Sequence, residues 1–175
     1  MHETCSLLGP LPRADFDPDA DKLLDPFVEC LAGANNALRQ NAVTHTLTMA
    51  IPPVRKRIID RLMALLKSRS KQIRGAAAES LFEMGEVALP GLRYAILSAQ
   101  DGTLKVRLAE ILGRIGATCS PARQWEIQVA FEVTMAKTKT PKVIAAVLKA
   151  MDQICPGSAE IEIALRQMMA GRGGV

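Results

Sequence analysis

Aromatic residues are scarce in this sequence, which has one Trp, one Tyr and four Phe among its 175 residues. Hydrophobic residues nevertheless amount to 49%, so the apolar mass consists mainly of Ala, Leu, Ile, Val and Met. These side chains suit closely packed helices far better than half-buried strands. The composition therefore favours an all-α fold, and a chain of this length is expected to form one continuous structural unit.

Cysteine and histidine are also few, and they are scattered. No two of them have the spacing of a metal site or of a small disulfide framework. The residues concerned are Cys5, Cys30, Cys119, Cys155, His2 and His45. We therefore predict no metal, and cysteines that act as small apolar side chains in a reduced, cytoplasmic protein.

Long hydrophobic runs are absent as well. Charged residues interrupt every apolar stretch well before the roughly 18 residues that a membrane span needs, and residues 1–11 lack a basic start. Catalytic patterns are missing too, including Ser/His/Asp, Cys/His and glycine-rich phosphate loops. His45 lies among threonines, which indicates a helix surface or a cap. The sequence thus predicts a protein that is not an enzyme, binds no cofactor and enters no membrane.

What the sequence does contain is an internal repeat. Residues 73–85 align without gaps on residues 104–116, and apolar residues coincide at the spacing of one face of an amphipathic helix. A third copy follows at 141–154, where Pro141 suits the first turn of a helix. Both of the first two helices are predicted to end at a left-handed glycine, Gly85 or Gly116, and the third at Cys155-Pro156-Gly157.

Partner helices are predicted between and around these copies. The apolar periodicity and the proline breaks indicate further helices at 21–31, 34–49, 53–67, 87–98, 121–137 and 158–170. Gly75, Gly91 and Gly113 lie inside predicted helices, where glycine is unfavourable, so we expect close helix approach at each of them.

One stretch of the repeat resembles the HEAT-like repeats of the phycobilisome-lyase type. It comprises Ile73-Arg74, Ala77-Ala78-Glu79, Leu81, Gly85 and Ala88-Leu89-Pro90-Gly91-Leu92. The second copy matches in its first helix only, and the similarity extends with decreasing quality over about residues 51–154. The resemblance implies a right-handed α-solenoid of about three to four helical hairpins, over residues 21–170, that presents a surface to partners.

The ends of the chain are predicted to differ from this solenoid. Residues 1–20 form an acidic, proline-containing arm, and Asp19 or Asp21 is expected to cap the helix that follows. A sharper hypothesis is that the arm folds back on basic residues and competes with a partner. The helix at 21–31 would cap the stack of hairpins, and residues 171–175 would be a frayed tail.

A basic segment between residues 55 and 74 is the strongest charge feature. We name as the basic ridge Arg55, Lys56, Lys67, Arg69, Lys71 and Arg74, which lie there with Arg57 and Arg61 and a single acid, Asp60. The ridge could bind phosphates or an acidic protein. The alternative is a solvated helix face followed by a basic loop, in which only Arg57 and Arg61, four residues apart, point the same way.

The resemblance implies a concave groove lined by the second helix of each hairpin. Carried onto this sequence, that groove would include Arg57, Arg61, Arg93 and Trp125. Trp125 is open to two interpretations, a binding hot spot on the groove or a large ring that fills an aliphatic core.

The sequence leaves three hypotheses for the function of this protein. The first is a non-enzymatic scaffold or adaptor that binds an acidic or helical segment of another protein in the groove. The second is nucleic-acid binding through the basic ridge, including glycosylases with HEAT-like repeats, for which Trp125, Glu126 and Glu132 would be the candidates. The third is a subunit similar to bilin lyases, supported by the repeat type alone.

Overall fold

The computed structural model describes residues 20–158 and residue 163, and this part of the chain contains helices and no β-strand. The prediction of an all-α fold is therefore confirmed there. A short 3-10 turn at Gly85–Val87 precedes α5. The α-helices are α1 (Ala20–Leu31), α2 (Asn36–Met49), α3 (Pro52–Leu65), α4 (Lys71–Glu83), α5 (Leu89–Ser98), α6 (Gly102–Gly116), α7 (Pro121–Lys137) and α8 (Pro141–Ile154).

The helices begin where local chemistry favours a start. α2, α4 and α6 have polar caps whose side-chain oxygens accept hydrogen bonds from backbone N–H groups of the first turn, namely Asn35, Ser70 and Asp101. The other described starts include helices with proline in the first turn, where no N–H is needed, as at Pro52, Pro121 and Pro141. The predicted bounds of α7 agree with the structure residue for residue, and α8 has Pro141 in its first turn and ends at Ile154, as expected.

The helix ends confirm two predicted glycines and correct a third. Gly85 has a φ of 57° and Gly157 a φ of 79°, the left-handed region that favours glycine. α6 does end at Gly116, but this glycine is buried and is not left-handed, and the cap is Ala117 with a φ of −61°. The role of Gly116 is to leave room for α8, because a Cβ there would lie 2.7 Å from the Ile154 side chain.

The chain divides into two compact units, residues 1–91 and residues 92–175, with the boundary inside α5. In the first unit, α1 packs on α2, α3 and α4. Its core consists of apolar side chains with buried Thr46 and a buried serine, whose Oγ donates to the Leu31 carbonyl at 2.6 Å and joins α4 to the end of α1. The core side chains include Leu24, Phe27, Leu31, Val43, Ile58, Leu62, Leu66, Leu81 and the serine, Ser80.

In the second unit, α6 and α8 approach closely and α7 packs on both. Gly113 permits this approach, because a Cβ there would lie 2.7 Å from the Cβ of Ala150. The core side chains include Leu92, Ile96, Leu108, Leu112, Ile115, Ile127, Phe131, Val143, Val147 and Ile154.

Gly91 and Gly75 were also predicted to lie at close helix contacts, and the structure confirms only one of them. A Cβ on Gly91 would lie 3.2 Å from Ile59, so close approach holds there, whereas Gly75 has nothing within 4 Å and the prediction of close packing is wrong. The apolar stripe of the repeat is buried as expected at Leu81 and Leu112, and Met151 is half-buried. The arrangement of the hairpins into one solenoid stays a prediction.

Several predictions concern residues outside the described ranges. These are the acidic arm up to residue 19 with its cap at Asp19, the tail at 171–175, and all but residues 158 and 163 of the last predicted helix. Asp21 lies inside α1, which begins at Ala20, so the alternative cap at Asp21 is wrong. Within the part that is described, none of the helices has the length and apolar character to cross a membrane.

Candidate interaction surface

An ion-pair network joins α5 and α7 within the second unit. Arg93 Nη1 lies 2.5 Å from Glu126 Oε2, and Arg123 Nη1 lies 2.8 Å from Glu126 Oε1. Each carboxylate oxygen of Glu126 therefore accepts from a different guanidinium. Two of the three side chains, those of Arg93 and Glu126, are about one-third exposed, so the network lies at the edge of the core.

The residues next to this ion pair define an inside and an outside. Leu92, just before Arg93, and Ile127, just after Glu126, are both 0% exposed. On the other side, Tyr94 is 75% exposed and Trp125 is 66% exposed. Because each helical residue turns by about 100°, the two aromatic rings project on the solvent side of the same ion pair.

This placement is notable because the chain has no other Tyr or Trp. Of the described phenylalanines, Phe27 and Phe131 are buried in the cores and Phe82 is half-buried. The core-filling interpretation of Trp125 is thus wrong, and the surface interpretation is the one that fits its exposure.

Leu97 enlarges the exposed apolar area. It lies one turn after Arg93 on α5 and is itself exposed. We call Tyr94, Leu97 and Trp125, with the Arg93–Glu126 pair, the aromatic surface. Sequence reasoning missed Tyr94 and Leu97, although the buried spacing of Leu92 and Ile96 on the opposite face of α5 would have placed both on the outside.

The four residues predicted to share a groove fall into two groups. Arg57 and Arg61 lie one turn apart on α3 in the first unit, while Arg93 and Trp125 lie in the second unit. The structure brings Arg93 into contact with Glu126, the neighbour of Trp125. Arg61 instead pairs with Asp25 of α1.

Two of the six residues of the basic ridge, Arg55 and Arg74, have a local structural role. Arg55 Nη2 donates to the carbonyls of Leu47 at 3.1 Å and Ala50 at 2.8 Å, which satisfies the end of α2. Arg74 Nη1 donates in the same way to the carbonyls of Ser68 at 2.7 Å and Arg69 at 2.8 Å. These two guanidinium groups hold the turns on either side of α3.

The remaining ridge side chains face solvent. Lys56 forms an exposed pair with Asp60 one turn away, at 2.7 Å. Lys67, Arg69 and Lys71 are exposed in and beside the loop between α3 and α4. The cations that stay open to a ligand therefore lie mainly in this loop, and they do not form a continuous ridge along a helix.

We expect Arg55→Met to lower the free energy of unfolding of the first unit by about 2 kcal/mol, because hydrogen bonds from a charged donor to two carbonyls are lost. The measurement is urea denaturation followed by circular dichroism. Lys56→Met is the matched control, since an exposed pair of this spacing contributes only about 0.3–0.5 kcal/mol. Equal effects of the two substitutions would contradict the capping role of Arg55.

His45 and Glu132 lie on different helices, α2 and α7. His45 is half-buried on α2, and its ring centroid lies 5.2 Å from that of Phe27 of α1. Glu132 is exposed on α7. Among the residues that are described, no group of three or more His, Cys, Asp or Glu side chains could hold a metal ion.

No protein-family model, no curated protein and no solved structure matches the chain. The HEAT-like resemblance therefore remains a prediction carried by residues 73–92 and their repeat. What the structure defines is a helical protein whose second unit exposes an aromatic surface beside an ion-pair network.

Proposed function

We propose that this protein is a non-enzymatic interaction module that binds a segment of another protein through the aromatic surface of its second unit. The observation that carries the proposal is the placement of the sole Trp and the sole Tyr on the solvent side of one ion pair. Trp, Tyr and Arg are the residue types enriched at the energetic centres of protein interfaces.

The two rings would contribute more to stability if they were buried in the core. Burying a large aromatic side chain contributes on the order of 2–3 kcal/mol, yet both rings are left mostly in water. Residues that pack only for stability would be expected inside, as Phe131 is. An exposed pair of rings with a fixed Arg between them is accounted for by a partner that covers them.

The surroundings of the rings also suit a protein partner. The Arg93–Glu126 pair is held by hydrogen bonds and supplies a polar edge next to the exposed Leu97 and the two rings. An apolar centre with a polar rim is the usual anatomy of an interface. The same surface has one acid between two arginines, so its charge alone would not attract a polyanion strongly.

The test is quantitative capture from native lysate with the full chain and its Trp125→Ala variant. We expect the variant to retain its melting temperature, because Trp125 is largely exposed, and to lose about tenfold or more of the captured partner, as at a hot spot. Met49→Ala is the matched control, since Met49 is also 66% exposed but lies in the first unit. It should capture the partner normally.

Two further conditions separate this function from nucleic-acid binding. Capture through the aromatic surface should survive nuclease treatment and depend only weakly on salt. Binding to nucleic acid would instead weaken steeply with salt and would be abolished by Arg57→Glu with Arg61→Glu. Capture that is equal for the full chain and Trp125→Ala would refute the proposed function.

A further inference from the structure

The aromatic surface is rich in hydrogen-bond donors and poor in acceptors. Its donors are the indole Nε1–H of Trp125, the hydroxyl of Tyr94, which can also accept, and the guanidinium of Arg93, whose side chain is about one-third exposed. Both oxygens of Glu126 already accept from arginines. The backbone groups inside α5 and α7 are used within the helices. A complementary ligand should therefore bring acceptors and few donors.

This requirement distinguishes between the backbone conformations a bound segment could adopt. A helical segment uses its own carbonyls internally and would leave the surface donors without partners. An extended segment of ordinary residues would bring an N–H with every carbonyl, and these N–H groups would lose water without finding acceptors. A proline-rich segment offers carbonyls, has no N–H on its prolines and keeps its backbone free of internal hydrogen bonds.

The rings favour the same ligand. Aromatic-lined surfaces receive the pyrrolidine rings of polyproline II segments, which lose little conformational entropy on binding. Trp125 and Tyr94 both project on the solvent side of the Arg93–Glu126 pair, so a segment that covers both rings also lies next to the guanidinium of Arg93.

We propose that the aromatic surface binds a proline-rich segment of a partner protein in the polyproline II conformation. This inference rests on the proposed function and specifies its ligand class. The pyrrolidine rings pack against Trp125 and Tyr94. The carbonyl oxygens of the segment accept from the indole Nε1–H and from the guanidinium of Arg93.

Tryptophan fluorescence can report binding at the aromatic surface directly. Because Trp125 is the only tryptophan of the chain, its fluorescence emission in the full protein reports on this surface without any label. A short oligoproline peptide without aromatic residues is expected to cause a saturable blue shift, since it displaces water from the indole. Tyr94→Ala keeps the reporter and should weaken the binding about tenfold. Met49→Ala should leave the titration unchanged.

Three matched peptides complete the experiment: a glycine/serine peptide, an acidic peptide without proline and a helical alanine/glutamine peptide. The inference requires that oligoproline bind more tightly than each of them. A saturable shift with the acidic or the helical peptide and none with oligoproline would overturn it, as would oligoproline binding that Tyr94→Ala does not weaken.

The two proposals fail in distinguishable ways. If oligoproline gives no shift while Trp125→Ala still abolishes capture of a protein partner, the ligand class is wrong and the proposed function stands. If Trp125→Ala leaves capture unchanged, the proposed function itself is wrong, and the titration then has no functional meaning.

Discussion

Replacing Gly113 by valine is expected to destabilise the second unit more than any other single substitution considered for it. A Cβ at Gly113 would lie 2.7 Å from the Cβ and 2.9 Å from the Cα of Ala150, which belong to α8. A backbone atom cannot rotate out of the way, so α6 and α8 would have to separate. We expect a loss of about 3 kcal/mol in the free energy of unfolding, at the upper end for an overpacked core.

The measurement is urea denaturation followed by circular dichroism, with Gly75→Ala as the control. Gly75 is also inside a helix, but nothing lies within 4 Å of a Cβ there. Alanine at that position should raise the free energy of unfolding by up to about 1 kcal/mol, because it favours the helix. A neutral Gly113→Val would show that α6 and α8 do not pack as described.

Among the charged side chains near the surface of the first unit, Glu83 is expected to cause the largest loss of stability when it is replaced by alanine. Glu83 is the last residue of α4 and pairs at 3.4 Å with Arg39, near the start of α2. Their side chains are only 22% and 12% exposed. Each charge lies at the helix end that its own helix dipole disfavours, so each depends on the other.

Removing the carboxylate leaves the guanidinium of Arg39 largely desolvated, with the Asn36 side chain as its remaining partner. We expect a loss of about 2–3 kcal/mol, somewhat less than for a fully buried pair. Glu83 Oε2 and Arg39 Nε are buried without hydrogen-bond partners, so the pair itself is imperfectly satisfied.

The double variant Arg39→Met with Glu83→Leu tests this explanation. Replacing both charges by apolar residues removes the desolvation cost together with the attraction, so the double variant should be more stable than Glu83→Ala and within about 1 kcal/mol of the original chain. Strictly additive losses in this cycle, measured by urea denaturation, would show that the two side chains do not interact energetically.

Sequence reasoning succeeded for features that depend on neighbours along the chain. The helices at 121–137 and 141–154 were predictable because proline marks their starts and the apolar period marks their length. The left-handed glycine at Gly85 was predictable because a helix that ends before another helix needs such a residue. These signals are local, and the structure confirms them.

Prediction from the sequence failed where the same residue type serves two structural purposes. Gly116 ends α6 as predicted, yet it is not left-handed and serves as a contact between helices. Gly75 has the context of a contact, yet it is open to solvent. Likewise, no feature of the chain distinguishes the arginines that satisfy carbonyls, Arg55 and Arg74, from those that face a ligand.

The sequence by itself determined that this protein is helical, where most of its helices begin and end, and which face of each is apolar, because these properties follow from residue type and spacing along one chain. Only the tertiary structure decided that Tyr94 and Trp125 lie beside one ion pair and that Gly113 contacts Ala150. It also decided that two arginines of the basic ridge, Arg55 and Arg74, donate to backbone carbonyls. Those contacts depend on how separate helices are placed in space, and the spacing of residues within one helix does not determine that placement.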